Sequence, residues 1–136
     1  LIEQNGRPDK KIYSLTSKGQ NELTSWLAKT PSPPVMRDEF LSKAYAIWLA
    51  DPFTAQKLFH ERIASFQERL DQRKQVLAQM EAELGKDLLN PSSRSFGRYI
   101  VHQRKLRLEG EEISWCEWVL SLLTKNTPES SGMRHF

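Results

Sequence analysis

A single cysteine, Cys116, stands in a chain of 136 residues. One thiol excludes an intrachain disulfide and suits a reducing compartment, so a cytoplasmic location is expected. No run approaches the roughly 18 consecutive apolar residues that a membrane span needs, and no apolar leader opens the chain. No membrane partner is therefore expected. His60, His102 and His135 lie far apart and far from Cys116 at any ligand spacing, so no metal site is read. Phosphate-cradling loops, dinucleotide fingerprints and nucleophile elbows are missing too. Glu111-Glu112 and Glu81 with Glu83 bring carboxylates together, but near neighbours on a helix point in diverging directions and read as solvated faces. Nothing calls for a cofactor. The chain does not read as an enzyme.

Charge of one sign is also in short supply. With 20 basic and 17 acidic residues the net charge is only +3, which allows an anionic partner without demanding one. Aromatic residues, by contrast, are plentiful: four Trp, three Tyr and six Phe argue against disorder. An apolar fraction of 38% beside 27% charged residues suits long amphipathic helices better than a thick core.

The chain opens on LIEQNGRPDKKIYSLTSKGQNEL, in what reads as the middle of a structural unit. Residues 1–4 and 11–16 are expected as two short strands around the turn residues NGRPD. Arg7, Lys10 and Lys11 cluster at that turn, where cations can lie against phosphates; exposed lysines on a turn tip are equally ordinary surface. Thr16 or Ser17 then caps a helix carrying Leu23, Trp26 and Leu27, which Pro31, Pro33 and Pro34 end. A second helix is expected across Met36 to Leu49. Asp51-Pro52 reads as the cap and first residue of a third, running from Phe53 to Leu84 without internal Pro or Gly.

That third helix carries the clearest pattern. Phe59, Ile63, Phe66, Leu70, Leu77, Met80 and Leu84 follow a four-three alternation whose missing member is Arg73. Gly85 reads as a C-cap, KDLLNPSSRS as a reversal, and Asn90, Ser92 or Ser93 as the start of a fourth helix. Its face is traced by Tyr99, Leu106 and Ile113, among others, and Gly110 marks a bend or a close approach. The expected architecture is mainly α: a small α/β fragment, then long antiparallel helices forming an arm. Domains are expected at 1–30 and 36–123, with a tail at 124–136. Apolar residues beyond a two-helix seam predict a homodimer through these helices. Trp48 and Trp115 are the candidate rim of an aromatic effector cavity, although aromatics at helical spacing also serve as core.

The run GRPDKKIYSLTSKGQNEL resembles the wing and following helix start of PadR-family transcriptional regulators. The residues that carry this are Gly6, Arg7, Pro8, Lys10, Lys11, Tyr13, Leu15, Thr16 and Gly19, with Leu23 beyond. FLSKAYAIWLADPFTAQKLFHERIASFQERL resembles the C-terminal region of the longer members, and Leu106, Gly110, Glu111 and Trp115 its closing helix. The resemblance implies a residual winged-helix β-hairpin followed by a coiled-coil dimerisation arm. It also implies double-stranded operator DNA as partner of the full-length protein, and release by a small aromatic effector such as a phenolic acid. Arg7, Lys10 and Lys11 become wing contacts on that basis. Phe59, Ile63, Phe66, Leu70, Leu77, Met80, Leu84, Tyr99, Leu106 and Ile113 become dimerisation residues. The helix-turn-helix that precedes the wing in this family is expected upstream of Leu1. Repression is favoured, with activation left open by a likeness to virulence-activator regulators. A dimeric helical interaction module without DNA binding is the alternative.

Overall fold

The computed structural model describes residues 16–34 and 37–126. Among them run α1 (Ser17–Ala28), α2 (Glu39–Tyr45), α3 (Pro52–Leu84) and α4 (Arg94–Lys125), with 3-10 turns at Ile47–Leu49 and Gly85–Leu89. The chain divides into two compact units, Leu1–Asp38 and Glu39–Phe136.

In the first unit, α1 begins where the Thr16 hydroxyl accepts from the Gly19 amide at 3.0 Å and its carbonyl from Gln20 at 2.9 Å. These are amides that a helix start otherwise leaves without partners. The helix closes where the Lys29 amide donates to the Trp26 carbonyl at 3.1 Å, two residues before Pro31. Leu23, Trp26 and Leu27 lie exposed along it.

The expected fold class needs correction here. Every regular element among the described residues is helical and none is a strand, so the described fold is all-α rather than a wing hairpin leading into helices. Of the strands expected at 1–4 and 11–16, all but Thr16 lies outside the described residues, and so do Arg7, Lys10 and Lys11. Thr16, the last residue assigned to the second strand, gives its carbonyl and hydroxyl to α1. Both groups serve the helix start, so no strand ladder runs through this residue.

In the second unit, α2 is shorter than the expected helix across Met36 to Leu49; Met36 lies outside the described residues. Beyond Tyr45 the backbone tightens, with Ala46 donating to Lys43, Leu49 to Ala46 and Ala50 to Ile47 at 3.0–3.1 Å. These three-residue steps continue the apolar spacing while abandoning the α-helical ladder. Asp51 then caps α3, its carboxylate accepting from the Thr54 amide at 2.8 Å, and Pro52 follows at the position where a missing amide costs nothing.

α3 has 33 residues, about 50 Å of helix. It stops at Gly85, whose φ of 54° lies in the left-handed region that glycine enters without a side-chain clash. The following 3-10 turn drives Leu88 into the end of the hairpin, where it is 2% exposed. Ser93 starts α4 by accepting from the Ser95 amide at 3.2 Å. α4 then returns antiparallel along α3, and contacts at both ends define the direction. Tyr99 donates to Glu81 near the turn, and Arg62 meets Glu112 toward the far end. Leu77, Met80 and Leu88 form a buried cluster flanked by Val76, Leu84, Tyr99 and Leu106. No helix among the described residues is long and apolar enough to cross a membrane.

Candidate functional site

The residues expected to hold a dimer together line this hairpin. Phe59, Leu77, Met80 and Ile113 are buried within the single chain, while Ile63, Phe66, Leu70, Leu84, Tyr99 and Leu106 are half-buried. The structure thus spends the buried members on the pairing of α3 with α4. The half-buried ones keep surface that a second chain could cover.

One layer of the seam is polar. The Arg73 guanidinium grips Glu109 twice, Nε to Oε1 at 3.3 Å and Nη2 to Oε2 at 2.7 Å, and its Nη1 reaches His102 Nδ1 at 3.1 Å. Glu109 is buried, at 6% exposure. Arginine only donates, so the His102 Nδ1 accepts and the ring is neutral, with its proton on Nε2. Burial pushes the His102 pKa below its ordinary 6.5, and the cations Arg73, Arg98 and Lys105 push the same way against Glu109. The hydrogen bond to Glu109 in turn raises Arg73 above its ordinary value.

The gap at Arg73 was legible in the heptad pattern; its partner was not singled out. A signal existed, because His102, Glu109 and Cys116 recur every seventh residue along one face of α4. Glu112, expected on a solvated face, also turns inward. Arg62 donates to it through Nε and Nη2, both at 2.9 Å, while its guanidinium lies over Phe40 at 4.2 Å and Phe66 at 4.6 Å. Such stacking screens the ion pair from water on one side. Burial pushes the Cys116 thiol up to about 11, which leaves it protonated and unreactive.

The aromatics expected around one cavity are divided. Trp115 packs edge-on against Phe59 and Phe40, with centroids 5.5 and 6.2 Å away, and Phe40 meets Phe59 at 5.1 Å. This is a filled cluster at one end of the hairpin. Trp48 is 78% exposed and edges a cleft of about 300 Å³ with Ile47, Pro52 and Leu122. A larger cleft, about 440 Å³, opens between α2, the Ile47–Leu49 turn and α3. Ile47, Leu49, Ala55 and Leu58 give it apolar walls, and Lys43 and Lys57 stand at its edge. Those lysines pair at 3.6 Å with Glu39 and at 2.7 Å with Glu61, on exposed ground where such pairs are weak. The cleft can take an apolar ring with an anionic group turned toward the ammonium groups.

A further apolar line follows the outer side of α4. Val101, Leu108 and Leu122 stand at heptad positions along it and are 51%, 49% and 37% exposed, while Trp115 between them turns into the cluster with Phe40 and Phe59. Ile100 and Trp118 widen it. Contiguous exposed apolar surface of this kind marks an interaction face.

Sequence comparison gives these surfaces a context. The chain is 32% identical over 124 residues to the negative transcriptional regulator PadR of Bacillus subtilis (strain 168), covering 90% of this chain and 67% of that protein. The chain belongs to the PadR family. Residues 36–124, from just before α2 to the end of α4, also match the family model described as virulence activator alpha C-term. B. subtilis PadR in complex with operator DNA superposes with a TM-score of 0.70 at 30% identity, covering 89% of this chain and 66% of that one. PadR in complex with p-coumaric acid gives 0.70 and 30%, covering 82% and 66%. PadR alone gives 0.74 and 30%, covering 82% and 62%. The chain thus spans somewhat less than two thirds of the solved PadR chains it matches. The expected PadR-family resemblance holds at the level of the family; the wing attached to it is the part corrected above. A family of transcriptional regulators also agrees with the expectation that the chain is no enzyme.

Proposed function

We propose that this chain is the dimerising and effector-responsive part of an operator-binding transcriptional repressor. The observation that carries this reading is the likeness to PadR bound to operator DNA, which extends over 89% of the chain. The effector is a small aromatic acid, a reading supported by the matching PadR structure with p-coumaric acid. The cleft beside Lys43 and Lys57 suits that chemistry, because an apolar ring would leave water and its carboxylate would take over the two ammonium groups from their exposed, weak pairs with Glu39 and Glu61. Homodimerisation is assigned to the hairpin's remaining apolar surface, the outer line of α4 together with the half-buried seam residues. Arg7, Lys10 and Lys11 are proposed as phosphate contacts on their charge alone, with no backbone form assigned.

The test is fluorescence anisotropy of the gene product carrying this chain against duplex DNA from its own promoter. Specific binding is expected, followed by release as p-coumaric acid or a related phenolic acid is added. Binding no tighter than to unrelated duplex would end the repressor reading. Specific binding that no aromatic acid weakens would remove the effector class alone.

A further inference from the structure

α2 is a seven-residue helix in which no residue is buried. So short a helix is marginal in water, and its form and position depend on what it packs against. Phe40 and Ala44 are its half-buried residues. The Phe40 ring enters the cluster at the end of the hairpin, its centroid 5.1 Å from that of Phe59 and 6.2 Å from that of Trp115, and the Arg62 guanidinium lies 4.2 Å from it. Lys43 follows Phe40 by three residues and so shares its side of α2, but it stands exposed at the edge of the larger cleft.

That cleft is a gap between two separately held parts. Lys43, Ala46 and Ile47 stand on the α2 side, and Thr54, Leu58 and Glu61 on the α3 side. Each lysine at its edge turns back along its own helix, Lys43 to Glu39 within α2 and Lys57 to Glu61 within α3. These exposed pairs are weak, and neither of them ties α2 to α3. We infer that an aromatic acid in this cleft fastens α2 to α3, its carboxylate bridging Lys43 and Lys57 while its ring fills the space between Ile47 and Leu58. α2 is then held at two points, by Phe40 and through Lys43. A ligand shifts an equilibrium only by binding one state better than the other. The bridge supplies that difference, because both lysines reach one carboxylate only when α2 lies against α3. The chain enters α2 from the segment carrying Pro31, Pro33 and Pro34, residues that stiffen a connection. Fastening α2 thus fixes the point where that segment joins the second unit. This rests on the cleft being the effector site, and it adds the element through which the effector acts.

Spin labelling tests it in the gene product carrying this chain, with helical content checked by circular dichroism. Cys116 is fully buried and does not compete for a label on Ser42→Cys, an exposed position of α2. On saturation with p-coumaric acid that label is expected to lose its mobile spectral component, while a label on Glu68→Cys of α3 keeps its line shape. Lys43→Gln is expected to weaken p-coumaric acid binding about tenfold, the worth of one charged hydrogen bond, and to leave the α2 label mobile at saturation. Phe40→Ala should raise the mobile component before ligand is added; an unchanged component would overturn the anchor. Ligand that binds and releases operator DNA with the α2 label unchanged would overturn the fastening while sparing the effector reading. Unaltered affinity in Lys43→Gln, or equal immobilisation of both labels, would overturn it as well. A protein that binds neither p-coumaric acid nor a related phenolic acid would defeat the effector reading and this inference together.

Discussion

At the scale of single residues, the Arg73–Glu109–His102 layer is where the energetics are most exposed to test. Removing one partner of a largely buried ion pair leaves the other charge without compensation. Glu109→Ala is therefore expected to cost about 3 kcal/mol in urea unfolding, toward the low end of such effects because Arg73 retains some solvent contact. Replacing both residues by apolar ones, Arg73→Met with Glu109→Leu, should recover most of that loss. A double variant as unstable as the single would show that the pair itself supplies net stability. His102 adds a pH dependence whose sign follows from its lowered pKa. The unfolded chain binds the proton more readily than the folded one. Stability is therefore full above the ordinary value of 6.5, falls as pH drops below it, and levels off beneath the folded value. Between about pH 7.5 and pH 5.5 the wild type should lose more thermal stability than His102→Asn, which keeps an acceptor without titrating in that range. Equal losses would show that His102 does not carry the effect. Of this layer only Arg73 was legible, because a cation in an apolar heptad breaks a pattern. A glutamate among other glutamates does not.

Among the elements, the boundaries of α3 were readable to within a residue. Asp51-Pro52 and Gly85 each impose a local geometry that no packing has to decide. The end of α2 was not readable, since the apolar spacing runs on through Ile47, Trp48 and Leu49 while the hydrogen bonds change underneath it. The hairpin strands were inferred from the turn chemistry of NGRPD, and Thr16 shows how a strong helix cap takes over at the edge of such a segment. Gly110 is the other misleading signal. α4 runs unbroken through it, and a methyl group placed there would meet nothing within 4 Å. Gly110→Ala should accordingly stabilise the protein by up to about 1 kcal/mol, the gain in helix propensity, measured as a higher urea midpoint with an unchanged slope. A loss instead would reveal a neighbour at that position in the assembled dimer.

For the whole molecule, the sequence pattern located the long hairpin and its surplus of apolar surface. It did not separate the inner line of α4, through Tyr99, Leu106 and Ile113, from the outer line through Val101, Leu108 and Leu122. Both recur every seven residues, and only the position of α3 distinguishes them. The candidate effector residues show the same limit. Trp48 and Trp115 belong to one aromatic inventory, yet one edges an open cleft and the other completes a packed cluster. Function at this scale came from the family, because recognition of operator and effector depends on surfaces that periodicity alone does not place. The operator and phenolic-acid experiment is thus a test of the entire gene product, while the stability measurements above concern the hairpin.

The Arg73–Glu109 layer also makes the hairpin a ruler. Sliding α4 by one heptad would carry Glu109 away from Arg73 and bring His102 or Cys116 to its place, neither of which supplies a carboxylate, so only one alignment pairs the two charges. Length measured from that layer to the Leu88-plugged tip is consequently a dimension that evolution or design can alter without disturbing the base. One added heptad in each helix beyond the layer would extend the tip by about 10 Å.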